Sequence, residues 1–178
     1  RYYQNPDNYY SVDTNASSLD GYMARVAINK QSGNFYFNTA FGISSPGFEI
    51  NDLGFLSSVD KINSHLVLGY RWYEPDEILR SKSVYLSGAI SKNFSGYVTK
   101  KFLGIFSNFQ FANYYGGNLQ YYYGFDAYDP RLTRGGPTVK TKGGYNIDGS
   151  FYSDSRNKVI ISTGGSFSEQ RDGNFSKS

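Results

Sequence analysis

The segment 44–60 reads SSPGFEINDLGFLSSVD and joins two alternating, strand-like runs, residues 34–44 and 61–73. Pro46 and Gly47 end the first run, because proline cannot donate to a β-ladder and glycine weakens a strand interior. A loop of this length inside a compact protein is usually either functional or disordered. The many apolar residues of this loop argue against disorder. We therefore expect two strands joined by a long, ordered loop.

Alternating runs of this kind recur along the whole chain. In each of about eight runs, apolar residues alternate with small or polar ones, which is the period-two pattern of a strand with two different faces. The runs cover residues 19–30, 34–44, 61–73, 84–91, 102–111, 119–125, 145–152 and 158–167. No helical stretch separates them, so we predict an all-β fold, an antiparallel up-and-down meander of about eight strands. The sequence YGGN at residues 115–118 predicts a hairpin turn between the fifth and sixth strands.

The composition narrows the classes of protein and site. Of 178 residues, 20 are glycine, 18 are tyrosine and 14 are phenylalanine, which is typical of strands and turns rather than helices. The absence of cysteine excludes disulfides and thiolate metal sites, and a single histidine excludes a site of three histidines. A net charge of +3 from scattered basic residues does not indicate nucleic acid, and no motif indicates a cofactor.

We interpret residues 1–178 as one domain, in which residues 1–17 form a polar N-terminal loop. No run approaches the roughly 18 apolar residues of a transmembrane helix. The chain begins at Arg1, and a turn signal at residues 171–174 precedes only a short remainder, as if a further strand had been cut away. We therefore expect a mature segment or a fragment of a longer protein.

The connections between the runs are asymmetric in length. The odd-numbered connections are short, whereas the second (residues 44–60) and the sixth (residues 126–143) are long. Because the even-numbered connections of a meander lie at one end, this asymmetry indicates an outer-membrane β-barrel. Runs of about 9 to 13 residues are long enough for tilted strands to cross a bilayer. We predict a transmembrane β-barrel, or the C-terminal portion of a larger one.

The two faces of the runs favour the same interpretation. One face is apolar and carries aromatic residues near the run ends, as in the aromatic girdles of membrane proteins. The other face is small and polar and includes Arg25, Asn38, Arg71, Ser87, Asn108, Gln110, Asn146 and Asp148. The alternative is a soluble lipocalin-like barrel or sandwich, which buries its apolar face. Such a protein carries several charges per strand on its outer face, and the polar face here carries few.

Charged residues on the two long loops are the candidate site. Glu49, Asp52 and Asp60 lie on the first loop, and Arg131 and Arg134 lie on the second. Since both loops are even-numbered connections, we expect them to fold inward together and to be pinned by acid–arginine pairs. Such loops form either a gate or ligand platform, or a plug that keeps the mouth of the barrel closed.

Catalytic interpretations have weaker support. No serine and carboxylate surround His65, the sole histidine, so a hydrogen-bonding role fits it better than that of a base. Acid pairs such as Asp126 with Asp129 have the residue types of a glycan hydrolase, but acids this close in a loop are common. The tyrosines at 114, 115 and 121–123 have stacking surfaces for sugars, yet beside a short turn they fit a membrane-interface belt better. We expect no enzyme activity, with a surface glycan hydrolase as the alternative.

The long loops also resemble those of a known family. The first motif is SPGFEINDLGFL at residues 45–56, followed by a strand that ends GYRW at residues 69–72, and the second is DPRLTRGGP at residues 129–137. Both resemble a family of Gram-negative outer-membrane proteins with a β-barrel domain of unknown function, often found behind a module similar to family-9 carbohydrate-binding domains. The resemblance spans most of the chain and implies the C-terminal part of a larger barrel.

Pattern and resemblance together predict where the protein acts. The expected location is the bacterial outer membrane, with outer-membrane lipid as a partner and with other envelope proteins and a glycan as further candidates. The expected role is surface transport, glycan handling or service as a subunit of an envelope assembly. The alternative is a secreted, soluble all-β module that binds a glycan or a protein.

Overall fold

A computed structural model describes residues 5–11, 13, 15–50, 54, 56–172 and 175–177. These residues form eleven strands, and no helix among them is long and apolar enough to cross a membrane. The strands are β1 (Met23–Lys30), β2 (Phe35–Ser44), β3 (Lys61–Trp72), β4 (Leu79–Lys92), β5 (Val98–Phe111), β6 (Gly116–Gly124), β7 (Ala127–Asp129), β8 (Val139–Thr141), β9 (Gly144–Tyr152), β10 (Ser162–Gln170) and β11 (Phe175–Lys177).

Nine strands form one sheet in the order β1-β2-β3-β4-β5-β6-β9-β10-β11, and β7 pairs with β8 in a separate ribbon. All pairings are antiparallel, which confirms the predicted all-β meander. The predicted number of eight strands was too low, because the three-residue strands β7, β8 and β11 are too short to show a period in the sequence. The predicted closure into a barrel is not observed: β1 and β11 occupy opposite edges of the described sheet.

The connection before β10 is longer than predicted. The sequence pattern starts this strand at residue 158, but β10 begins at Ser162, which pairs with Tyr152 at the end of β9. Two hydrogen bonds close the base of this connection, because the Ser153 N–H donates to the Ile161 carbonyl and the Ile161 N–H donates to Ser153 Oγ, both at 2.8 Å. Residues 158–161 are therefore exposed loop residues, despite their alternating pattern.

The hairpin turn between β5 and β6 lies earlier than predicted. Residues 112–115 make the turn, and Gly116 and Gly117 are the first residues of β6. Tyr114 supplies the left-handed backbone position of the turn, with φ of 68°. A Cβ at residue 116 would lie 2.7 Å from the Phe109 carbonyl oxygen, so the glycine there permits close strand packing rather than a turn.

The sheet has two chemically different faces, as the sequence predicts. Residues that pair directly across antiparallel strands lie on the same face, so the register defines an apolar face that carries Val26, Ile28, Phe41, Leu66, Leu68, Leu86, Leu103, Ile105, Leu119, Tyr121 and Ile147. The opposite, small-residue face carries Ala40, Gly42, Gly69, Ser87, Ser91 and Gly104.

Burial is inverted between these faces relative to a water-soluble sheet. Val26 is 67% exposed and Leu119 is 54% exposed on the apolar face, whereas Ser87 is 7% exposed on the small-residue face. The fully buried hydrophobic residues of the described chain are Ala40 and Val59. The small-residue face is therefore the interior side of the sheet, and the large apolar side chains point outward.

The connections lie at two ends of the sheet. The loop end carries the even-numbered connections of the meander and comprises residues 45–60, 93–97 and 125–143. The turn end carries the odd-numbered connections and comprises residues 31–34, 73–78, 112–115 and 153–161. Residues 93–97 are a short connection at the loop end, as their sequence suggests, whereas residues 153–161 at the turn end are a longer connection than predicted.

Two arginines stack on one tyrosine at the turn end. The guanidinium of Arg156 lies 3.4 Å from the centroid of the Tyr114 ring, and that of Arg80 lies 4.3 Å from it. Arg156 also forms an ion pair with Asp154 at 2.6 Å. These contacts join two neighbouring connections to the start of β4, and cation–π stacking of this kind stabilises them.

A second polar contact orders residues 73–78. The Asp76 carboxylate accepts hydrogen bonds from Lys82 Nζ at 2.7 Å and from the Leu79 N–H at 2.6 Å. The Lys82 ammonium, with the Leu79 and Ile78 N–H groups, lowers the pKa of Asp76 to about 2. Asp76 thus holds the turn between β3 and β4 while it is ionised.

Candidate functional site

A cavity of about 520 Å³ lies between the small-residue face and the loops at the loop end. The sheet contributes side chains of β3, β4 and β5 to its walls, and the two long loops contribute the rest. Its polar and aromatic lining includes Asp60, His65, Lys100, Phe102, Tyr128 and Arg131. A concave site with convergent polar groups and aromatic rings has the composition of a binding pocket for a polar molecule.

The second long loop folds back over the sheet and forms one wall of this cavity. The Phe125 N–H donates to the Lys101 carbonyl at 2.9 Å, which holds the start of the loop against β5. The Tyr128 ring then packs on the Tyr97 ring, with centroids 5.1 Å apart. Thr141 Oγ1 donates to the Ala127 carbonyl at 3.2 Å, which ties β8 to β7. The ribbon of β7 and β8 is therefore an ordered wall of the cavity rather than a free loop.

The two long loops meet through Arg131. Its guanidinium donates to the Ser57 carbonyl at 3.5 Å, and its N–H donates to Asp129 Oδ1 at 2.7 Å. The contact that the structure describes between Arg131 and the first loop is thus with the main chain of that loop. The topology places both loops at one end, as the count of connections predicts, and Arg131 bridges them.

Asp60 holds the base of the first long loop against the short connection between β4 and β5. Its Oδ1 accepts a hydrogen bond from the Phe94 N–H at 2.9 Å, which links the first loop to residues 93–97. Asp60 has a left-handed backbone with φ of 59°, which is uncommon outside glycine. Burial raises the pKa of this carboxyl above its usual value, and the Phe94 N–H opposes the shift. The contact described for Asp60 is with the main chain rather than with an arginine.

The other predicted site residues lie farther from the cavity or outside the described chain. Glu49 is exposed on the first loop. Asp52 lies outside the described residues. Arg134 is exposed and left-handed, with φ of 52°, and its N–H donates to the Arg131 carbonyl at 3.0 Å. Of the five candidates, Asp60 and Arg131 line the cavity, and the acid–arginine pairing of the loops stays a prediction.

The strongest charge cluster at the loop end centres on Asp126, which sequence reasoning considered only as a hydrolase acid. Its carboxylate accepts a hydrogen bond from the Gly143 N–H at 3.0 Å and forms ion pairs with Lys140 at 3.4 Å, Lys142 at 3.8 Å and Arg171. The Gly143 N–H and the Arg171 guanidinium hold the pKa of Asp126 well below its usual value. A carboxylate kept ionised in this way is unsuited to act as a general acid.

Asp126, which precedes β7, is therefore bound to β8 through Lys140 and to the turn after β10 through Arg171. No local sequence signal marks this cluster, since its members are spread from residue 126 to residue 171. Their convergence depends on the pairing of β9 with both β6 and β10.

The N-terminal segment crosses the same loops. Asn5 is buried, and its Nδ2 donates to the Pro130 carbonyl at 2.7 Å. Asp7 Oδ2 accepts a hydrogen bond from the Thr138 N–H at 2.8 Å. These contacts hold the start of the described chain against the second long loop.

His65 has a hydrogen-bonding role. Its Nε2 lies 2.6 Å from Asn38 Oδ1 on the small-residue face, within hydrogen-bonding distance. Within the described ranges, no group of three or more histidine, cysteine, aspartate or glutamate residues has the arrangement of a metal site.

Comparison with known proteins gives a family but no characterised relative. The family described as "Domain of unknown function (DUF5916)" matches residues 2–177 of the chain. No curated protein and no solved structure matches it. The match agrees with the resemblance to a family of unknown function and assigns neither a location nor a ligand.

Proposed function

We propose that this chain, which belongs to the DUF5916 family, spans the bacterial outer membrane as part of a β-barrel. The observation that carries the proposal is the inverted burial of the sheet: large side chains such as Val26, Leu86 and Leu119 are exposed on the apolar face, while Ala40, Ser87 and Gly104 are buried on the small-residue face. A soluble monomer rarely exposes a contiguous apolar patch larger than a few hundred Å². Lipid is the solvent that suits an apolar face of this extent.

The strand lengths also support a sheet that spans the membrane. β3 has 12 residues, and β4 and β5 have 14 each. A tilted strand needs about 9 to 11 residues to cross the hydrocarbon layer. Aromatic residues Tyr70 and Trp72 lie on the apolar face near the turn end, with ring centroids 4.7 Å apart, as interfacial anchors would.

A membrane location also requires a closed sheet. A bilayer offers no water to unpaired N–H and C=O groups, so an open strand edge in lipid is strongly disfavoured. β1 and β11 are such edges in the described sheet. We propose that further strands, from the same polypeptide or from another envelope protein, complete the barrel.

Dependence on detergent tests this proposal against a secreted, soluble all-β module. The chain should aggregate in plain buffer and become monodisperse with native β content in detergent micelles, as measured by size-exclusion light scattering and circular dichroism. A monodisperse, folded chain in plain buffer would exclude the membrane proposal and favour the soluble module.

The second element of the proposal is glycan handling at the mouth of the barrel. The cavity supports it, because Tyr128 and Phe102 offer ring faces for sugar stacking beside the hydrogen-bonding groups of Asp60 and Arg131. A transport role without a bound glycan, or service as a subunit of an envelope assembly, is the alternative. A surface glycan hydrolase has less support, since Asp126 is held ionised by its partners.

A pair of arginine variants tests glycan binding. We expect a detergent-solubilised chain to bind members of an oligosaccharide array and Arg131→Ala to weaken that binding about tenfold, because a charge-assisted hydrogen bond in the pocket is lost. Arg134→Ala is the matched control, since Arg134 lies on the same loop but does not line the cavity. Equal binding by both variants, or no binding by the parent chain, would count against the glycan role.

A further inference from the structure

The apolar face contains a trough centred on a glycine. Gly88 lies in β4 between its partners Leu66 on β3 and Leu103 on β5, so the central position of this row has no side chain. Leu86 and Ile90 border the gap along β4, and the resulting cavity on this face is about 580 Å³. The centre of the trough is lined by aliphatic side chains, among them Leu66, Leu86 and Leu103, which suit a hydrocarbon chain.

The trough ends in positive charge toward the loop end. Lys101, the pairing partner of Ile90, borders the trough, and its Nζ lies 4.6 Å from the centroid of the Phe125 ring. Lys92 is exposed on the same face, where its partner is Ile62. Asp126, next to Phe125, is already ion-paired with three other basic residues. Neither lysine forms an ion pair with another of the described residues, so the two ammonium groups make this end of the trough positively charged.

We propose that this trough binds one acyl chain of an anionic membrane phospholipid, with the phosphate of its negatively charged headgroup at Lys101 and Lys92. The inference rests on the proposed membrane location, because only then does lipid have access to this face. Charge complementarity selects the headgroup, since ammonium groups attract phosphate and gain little from a zwitterionic headgroup. The lining of the trough selects the acyl chain, since Leu66, Leu86 and Leu103 offer it hydrocarbon surface.

The depth of the trough depends on the absence of a side chain at residue 88. A Cβ there would lie 3.0 Å from Leu103 Cδ2, which is a flexible side chain, and 3.5 Å from the Phe102 carbonyl oxygen. A leucine at this position would therefore displace Leu103 slightly and fill the space that the acyl chain occupies.

Native mass spectrometry of the detergent-solubilised full chain tests the proposal with two lipids of equal acyl length, phosphatidylglycerol and phosphatidylcholine. The parent chain should retain phosphatidylglycerol preferentially. Lys101→Gln should lower retention of phosphatidylglycerol about fivefold and leave phosphatidylcholine unchanged, because one basic residue near an anionic headgroup is lost. Gly88→Leu should lower the retention of both lipids.

Matched controls lie on the same face. Lys30 is a lysine 5.8 Å from the Phe35 ring centroid at the turn end, and Gly149 is an apolar-face glycine with ordinary space around it. Lys30→Gln and Gly149→Leu should leave lipid retention unchanged. If Gly88→Leu does not fold, Lys101→Gln decides alone.

The outcomes separate this inference from the proposal beneath it. A detergent-dependent chain that retains both lipids equally, retains neither because another polypeptide covers the trough, or loses lipid equally in the control variants overturns the lipid site and leaves the membrane location standing. A chain that is monodisperse in plain buffer overturns both.

Discussion

A lysine at Ile105 should distinguish a face in lipid from a face in water. Ile105 lies near the middle of β5 on the apolar face and is 50% exposed. In a bilayer this position is close to the midplane, where a lysine on the lipid-facing side of a barrel costs about 2–4 kcal/mol. In water, the same substitution at a half-exposed position away from any buried group changes stability by about 0.5 kcal/mol or less. The two environments thus predict effects that differ severalfold.

Urea unfolding of the chain refolded into lipid vesicles measures this difference, with the fluorescence of Trp72, the sole tryptophan, as the probe. Asn108→Lys is the control, because Asn108 is exposed on the opposite face of the same strand. We expect Ile105→Lys to lower the free energy of unfolding by about 2–4 kcal/mol and Asn108→Lys to change it by less than about 0.5 kcal/mol. Equal, small effects of both substitutions would refute the orientation of the sheet.

Three further predictions concern the two ends of the sheet. The pKa of Asp76 is lowered to about 2 from a usual 3.8, so its stabilising contacts are complete above about pH 4 and are lost as the pH falls through 2. Hydrogen exchange should show residues 76–79 losing protection in that window. Asp76→Asn should remove this pH dependence. Tyr114→Leu removes both arginine stacks, so trypsin should cut at Arg156 roughly fivefold faster; an unchanged rate contradicts the stacking. Asp126→Asn should expose residues 125–143 to limited trypsin digestion, whereas an intact loop would show that Arg171 and its neighbours do not depend on this carboxylate.

The alternating sequence predicts the strands because each of the long strands has two different environments. Val84, Leu86 and Ile90 share the apolar face of β4, while Ser87 and Ser91 share the other, and a period of two registers this directly. The same reasoning fails at residues 158–161. Their residue types alternate, but β9 ends at Tyr152 and its ladder with β10 begins only at Ser162. An alternating pattern shows which residues are suited to a strand, but it does not show whether the neighbouring strand is long enough to pair with them.

The candidate site was less accessible to sequence reasoning. The count of connections brings the two long loops to one end, and Arg131 indeed reaches the first loop. The contacts of Asp126 and of Asn5 join residues far apart in the chain, and no local signal marks them. Glycines were misread for a physical reason, since Gly116 and Gly117 permit close packing within β6 rather than the turn that the dipeptide usually favours.

Hydrogen bonds join separate segments of the chain at the loop end. Three layers converge there: the first long loop, the ribbon of β7 and β8, and the N-terminal segment that hydrogen-bonds to the ribbon. Movement of either long loop would therefore require several hydrogen bonds to break at once.

The orientation of the sheet can be measured with one tryptophan at a time. In a Trp72→Phe background, Ile105→Trp and Phe106→Trp place the probe on neighbouring residues of β5 that face opposite sides of the sheet. Each protein is refolded into vesicles of lipid brominated in the middle of its acyl chains, which quenches tryptophan by contact. We predict strong quenching of the tryptophan at 105 and little at 106. Equal quenching at both positions, or stronger quenching at 106, would contradict the assignment of the apolar face to lipid.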